Sequence, residues 1–327
     1  MSDTRAADPD HVMSPGSVAA YSAYYLPHSD EKPSDGAIRV TFYGTSTLLF
    51  DDGTTQFLID AFITRPDLAT VMASLESGEP LIQTDEAAVD SWLARPEVGS
   101  IAAVFPAHSH HDHAIDVAYI ARRTGATVHG SESTLNIARG GDVPEEQLSK
   151  YVLGARVPVG DFTVTVLPGR HPLNPPPLTD DRDLTIDAPL RQPARFSDYV
   201  EGGSFAFLIE HGSHSILVQV PGYIIGVLDQ VRADVLFLST VPIGAVSARH
   251  TDTFYDQIVG NVRPSLVVPV HWDDFLQPVS ADLPTLGGDV PAKFDYLIER
   301  LNRDGIRFGI MQGNQSVTLF DQDGKLA

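Results

Sequence analysis

Six residues, HSHHDH at positions 108–113, limit what this chain can fold into more than any other stretch. They follow a short continuous apolar run, IAAVFPA (101–107), which predicts a buried strand. They precede AIDVAYIARRTG (114–125), whose apolar spacing and terminal Gly predict a helix, and ATVHGS then predicts the next strand. Strand, loop, helix, strand is the order of an α/β fold. It sets the six residues at the carboxyl end of a strand, where such folds carry their chemistry.

An imidazole binds a divalent metal through one ring nitrogen and a carboxylate through oxygen. Catalytic zinc takes three protein ligands and keeps a position open. His108 and His110 are two apart on an extended segment and can point the same way. Asp112 and His113 are adjacent at the turn into the helix. Two pairs of ligands result, each needing a third. His171 ends the predicted strand FTVTVLPG (162–169) with Arg170, and His271 ends SLVVPVH (265–271). Both belong on the same sheet edge as the six residues. His111 is expected on the alternate face, outside the ligand set. His129 is expected near the pocket, His211 and His214 in solvent beside a hairpin turn, and His250 in a loop, as a substrate contact or compensating ligand.

Other classes are disfavoured by composition. The chain has no cysteine, which excludes disulfides, thiolate zinc sites and a cysteine nucleophile. Lys and Arg number 22 against 43 Asp and Glu, a formal charge of -21, which repels phosphate backbones and argues against nucleic acid as a partner. No apolar run approaches the ~20 residues of a membrane span. The first residues lack the order of a signal peptide, so a cytoplasmic location is expected. The expected partner is a small-molecule substrate, with oligomer formation left open. Residues 1–36 read as an arm, and 37–327 as one α/β domain. Within it, residues 173–203 form a long irregular, lid-like insertion. Strands are expected at 37–44, on either side of Asp52–Gly53, at 204–220 as a hairpin, at 234–239, and at RFGIM and SVTLF. Helices are expected at 66–75 and 293–305.

HxHxDH, carried by His108, His110, Asp112 and His113, resembles the signature of the metallo-β-lactamase superfamily. FLIDAF (Asp60), LPGRHP (His171) and VVPVHWDDF (His271) resemble its other segments in the same order, over about residues 38–320. VPIGA (241–245) is similar to a segment of the lactonase-like branch, and HSHHDHAID to the N-acylphosphatidylethanolamine phospholipase D branch. The resemblance implies a four-layer αβ/βα sandwich with the site at one edge of two facing sheets. It implies a first metal on His108, His110 and His171, and a second on Asp112, His113 and His271. Zn2+, one or two per chain, is the expected cofactor, with Mn2+ or iron as alternatives. Asp112 is the expected catalytic carboxylate, and Asp60 a residue supporting the ligands.

One position departs from the family. An Asp that bridges the two metals falls on Val220 in ILVQVPGY (216–223), with Gln219 and Pro221 as neighbours. Valine binds no metal. A hydrolase of an ester, lactone or amide is the leading expectation, and a phosphodiesterase or phospholipase the alternative. The lost Asp keeps open an iron-dependent redox protein or a degenerate binding protein on the same fold.

Overall fold

The computed structural model describes residues 17–173, 180–220, 222–224, 230–245, 247–280 and 282–326. The chain opens with β1 (Ile38–Phe42), β2 (Leu48–Asp51) and β3 (Gln56–Ile59), then α1 (Leu68–Ser77) and α2 (Glu86–Leu93). β4 (Ile101–Phe105) leads into the one-turn α3 (His111–Ala114), α4 (Val117–Thr124), β5 (Thr127–Gly130), α5 (Glu132–Gly140) and β6 (Leu148–Lys150). The second half holds β7 (Arg156–Val159), β8 (Phe162–Arg170), β9 (Ser204–His211), β10 (His214–Gln219), β11 (Tyr223–Ile224) and β12 (Val235–Ser239). α6 (Ala248–Val262), β13 (Leu266–Val270), α7 (Val290–Asp304), β14 (Arg307–Phe308) and β15 (Gln315–Phe320) complete it.

Two sheets result. One runs β15-β1-β2-β3-β4-β5-β6; the other runs β11-β8-β9-β10-β12-β13-β14, with β7 also on β8. Strand alternation sorts their side chains. Ile216 and Val218 of β10, Val235 and Phe237 of β12, and Val268 and Val270 of β13 join the core between the sheets. Leu217, Leu236, Leu238 and Val267 face the other way, onto Phe254, Ile258 and Val262 of α6. Both faces are buried, which is why these strands read as unbroken apolar runs. On the first sheet, Leu58, Val104 and Val128 face Val117, Ile120 and Leu135 of α4 and α5. Helix, sheet, sheet, helix is the four-layer arrangement.

The parallel pairs set the functional edge. β3, β4 and β5 run side by side, with Ile59 opposite Phe105. β10, β12 and β13 do the same in the second sheet, with Ser239 opposite Val270. The N–H of Phe205 on β9 donates to the Ala107 carbonyl at 2.8 Å, tying the second sheet to the chain leaving β4. His108 follows at once.

Three local expectations need correction. Helix α6 spans 248–262, so His250 lies in its first turn and not in a loop. Ser247 caps that helix by accepting from the His250 N–H at 3.2 Å. RFGIM contributes strand only at Arg307–Phe308. His211 is buried, not solvated: it packs on Phe162 and meets Asp52, from the β2–β3 turn, at 3.2 Å.

Of the arm, the described residues 17–36 lie against the body: Tyr21 packs edge-on against Phe294 at 5.3 Å, and Tyr25 bridges to Ile310. The segment 180–203 also packs down. Ile186, Ala194 and Tyr199 are buried among the side chains between the first sheet and its helices.

Candidate metal centre

β4 delivers its last carbonyls to the edge, and the chain then turns sharply into α3. Its four residues, His111 to Ala114, are all buried. Asp116 fastens the turn: its carboxylate accepts from the N–H groups of Ile63 and Thr64, both at 2.7 Å, and from the Thr64 hydroxyl at 2.6 Å. Two triads of potential ligands assemble here, His108 with His110 and His171, and Asp112 with His113 and His271. Within each, one donor atom per residue lies within 4.8 Å of the others. The triads adjoin, since the rings of His108 and His113 are 3.9 Å apart between centroids.

Hydrogen bonds on the far side of each ring determine which nitrogen is left to face inward. Nδ1 of His171 lies 2.8 Å from the Pro172 carbonyl, leaving Nε2. Nε2 of His110 lies 2.9 Å from Asp181, leaving Nδ1. Nδ1 of His113 lies 2.8 Å from Asp60, leaving Nε2, which is 3.4 Å from Asp112. Nε2 of His271 is 3.3 Å from the same Asp112 oxygen. Both nitrogens of His108, Nε2 of His113 and Nδ1 of His271 are buried without a hydrogen-bond partner. A buried polar atom left unpaired costs ~1–3 kcal/mol. The clustering of these imidazoles with Asp112, and a His108 ring with no hydrogen-bond partner of its own, fit a divalent cation of the zinc type, in a donor set of nitrogen and oxygen.

Charge in the site is arranged for the same end. Burial, and then the neighbouring His113, His110 and His171, push His108 well below its ordinary range. Burial pushes His171 down to about 3. Both are neutral, with lone pairs available. His113 is the exception. Burial opposes its protonation, but Asp112 and Asp60 outweigh that and raise it to about 10. Asp112, although buried, is held well below the usual carboxylate range, chiefly by His113. Between two carboxylates, the protonated ring stands in for the positive charge that a cation would bring.

Backbone strain marks the same place. Thr45, Asp60 and His271 have φ of 51°, 58° and 58°, an uncommon region for residues other than Gly. Hydrogen bonds hold them there. The His271 N–H donates to the Thr45 carbonyl at 2.5 Å, and the Thr45 N–H donates to Asp273 at 2.6 Å. Arg65 pairs with Asp273 at 3.1 Å. Gly44 leaves room for Arg65, whose Nη2 would stand 2.1 Å from a Cβ at that position.

Of the other singled-out residues, Asp60 sits under His113, accepting also from Ser46 Oγ at 2.5 Å and from the Ala107 N–H at 2.6 Å. His111 is in neither triad; it packs between Phe62, Phe196 and Phe275, with Nδ1 3.8 Å from Asp112. His129 stacks on Phe105 at 4.5 Å. His250 contacts the Tyr223 hydroxyl and lies outside both triads. Val220 is buried in the core between the sheets, and Gln219 is fully buried. Pro221 lies outside the described residues. Sequence reasoning missed Asp181, whose partner His110 lies 71 residues away along the chain, and Glu201. It also missed a third group with ligand-like spacing, Asp52, Asp161 and His211, at the other end of the sandwich.

Two facing sheets flanked by helices, with His and Asp donors at one rim, make this a metallo-β-lactamase fold. No family model matches the chain. In sequence, 82 residues, 25% of this chain, are 34% identical to a UPF0173 metal-dependent hydrolase of Chloroflexus aurantiacus, and the match spans 33% of that relative's length. In structure, the chain is similar to CmlA, a diiron beta-hydroxylase from Streptomyces venezuelae, at a TM-score of 0.53 and 15% identity. That likeness covers 89% of this chain and 55% of that one. It is similar also to Igni18, a metallo hydrolase from Ignicoccus hospitalis, at a TM-score of 0.50 and 16% identity, covering 86% and 97%. No helix among the described residues is long and apolar enough to cross a membrane.

Proposed function

We propose that the chain is a metal-dependent hydrolase of a small-molecule ester, lactone or amide. The observation that carries the reading is the pair of adjoining, largely buried His and Asp triads, with His108 unpaired at both ring nitrogens. His108, His110 and His171 would hold one cation, and Asp112, His113 and His271 a second, with zinc the metal that suits the donors. A bound divalent cation supplies Lewis acidity, which acidifies water and polarises an electrophilic oxygen. The protein's own part is orientation. Asp112, held ionised, accepts a hydrogen bond from the attacking water and aims it. Asp60 fixes His113 and, through the Ala107 N–H, the start of the HSHHDH turn. Segment 180–203 walls one side of the site and excludes solvent.

A second reading, an iron-dependent redox protein, is favoured by one observation: Val220, at the position where the family carries its bridging Asp, is an apolar residue buried in the core between the sheets. The fold likeness to a diiron hydroxylase makes it concrete. Metal analysis of protein purified without chelator tests both. Zinc or manganese at one or two per chain, with turnover of ester, lactone or amide probes, supports the first reading, and turnover of phosphodiester probes instead identifies a phosphodiesterase. Bound iron with no hydrolysis of any probe supports the second.

A further inference from the structure

The first triad draws on the chain leaving β4 and the chain leaving β8. The described segment 180–203, on the way to β9, holds none of its three members. It does contribute two acidic side chains, Asp181 and Glu201, each buried beside a ligand. Asp181 Oδ2 lies 2.9 Å from His110 Nε2 and accepts from the Glu201 N–H at 3.2 Å. The Glu201 carboxylate accepts from Ser204 Oγ at 2.5 Å and lies beside the His171 backbone. The Glu201 carbonyl accepts from the Ser109 N–H at 2.9 Å, between His108 and His110. His110 is therefore held directly by the Asp181 carboxylate, and Ser109, between His108 and His110, by the Glu201 main chain.

We propose that Asp181 and Glu201 are positioning residues for the first cation, so that the segment carrying them determines how tightly that cation is held. The inference rests on the metal-binding reading above. A carboxylate on Nε2 of His110 keeps the proton there, turns Nδ1 inward as the donor, and raises the basicity of the ring. Without it, the half-buried ring can rotate or exchange tautomers, and the inward lone pair is lost for part of the population. Glu201 acts on the backbone instead. Its carboxylate anchors Ser204 beside the His171 backbone and so steadies the main-chain carbonyl that holds Ser109 in the HSHHDH turn.

The test is zinc and cobalt(II) binding to metal-free full-length protein, by competition with a chromophoric chelator and by the visible spectrum of the cobalt form. Asp181→Ala is expected to weaken the tightest site by about 10–100-fold and to change the cobalt spectrum. Asp181→Asn keeps an acceptor without the charge and is expected to fall in between. Glu201→Gln, which keeps one acceptor oxygen, is expected to weaken the same site. Thermal melts of the metal-free proteins check that the variants fold; if Asp181→Ala does not, Asp181→Asn decides. A loss smaller than about threefold in the Asp181 variants, with an unchanged cobalt spectrum, overturns the proposal. If the wild type itself takes up no metal, the metal reading fails instead, and this inference fails with it.

Discussion

Replacing Asp60 by Asn should change which nitrogen of His113 carries a proton while leaving the fold standing. Asp60 is fully buried and accepts three hydrogen bonds. Oδ1 takes the Ala107 N–H at 2.6 Å, while Oδ2 takes Ser46 Oγ at 2.5 Å and His113 Nδ1 at 2.8 Å. In Asn the amide oxygen must stay on the Ala107 N–H, so the NH2 replaces Oδ2 and donates to His113 Nδ1. Nδ1 becomes an acceptor, Nε2 takes the proton, and the second triad loses a donor. Its metal affinity should fall by about 10–100-fold, or ~1.4–2.7 kcal/mol. Stability should change little, because Asn tolerates the left-handed φ of 58°. Asp60→Ala is the contrast. It strands a buried N–H, a hydroxyl and an imidazole at ~1–3 kcal/mol each, and the strain of Ala at positive φ adds ~1–2 kcal/mol. NMR of 15N-histidine-labelled protein reads the tautomer, zinc titration reads the affinity, and urea melts read stability. His113 still protonated at Nδ1 in the zinc-loaded Asn variant, with wild-type zinc affinity, would refute the reasoning.

Other consequences can be measured directly. Val220→Asp puts a carboxylate into the core between the sheets, so the metal-free variant should lose at least ~2 kcal/mol, and excess zinc should restore part of that loss. Equal melts of the two metal-free proteins would contradict this. His108→Ala should lower bound metal by about one per chain, read by elemental analysis. In metal-free protein His113 is raised from 6.5 to about 10, so its contribution to stability is full below pH 6.5 and is lost as pH rises towards about 10. That decline should be shallower in Asp60→Asn, as seen in urea melts across the range. Gly140→Ala sets a Cβ 1.8 Å from the Leu190 carbonyl, so it should destabilise the chain by ~1–3 kcal/mol and loosen hydrogen exchange around Leu190.

Much of the site was legible in sequence because it is local. HSHHDH, His171 and His271 each end an apolar strand, and parallel strands bring such ends to one edge. Asp60 was reached only through the resemblance of FLIDAF to the family's segment. Asp181 was not legible: its partner His110 lies 71 residues away, and nothing in the irregular stretch between β8 and β9 marks it. Helix α6 was readable from its Ser247 cap and from Phe254, Ile258 and Val262 at helical spacing, but the preceding PIGAV turn drew the reading towards a loop. His211 looked exposed beside its hairpin turn. Only the packing of one sheet on the other brings Asp52 over it, and a contact between sheets has no signature along the chain.

The junction of β4 and β8 has a mechanical meaning. His108 leaves the first sheet and His171 leaves the second, and between them the sheets are joined at this edge by backbone bonds such as Phe205 to Ala107. A cation held by both histidines would act as a cross-link, riveting the halves of the sandwich at this edge. At a hundredfold excess of free metal over its dissociation constant, that rivet adds about 2.7 kcal/mol against unfolding. Chelation would then open the sandwich from this edge, and metal supply would govern the lifetime of the fold as well as its chemistry.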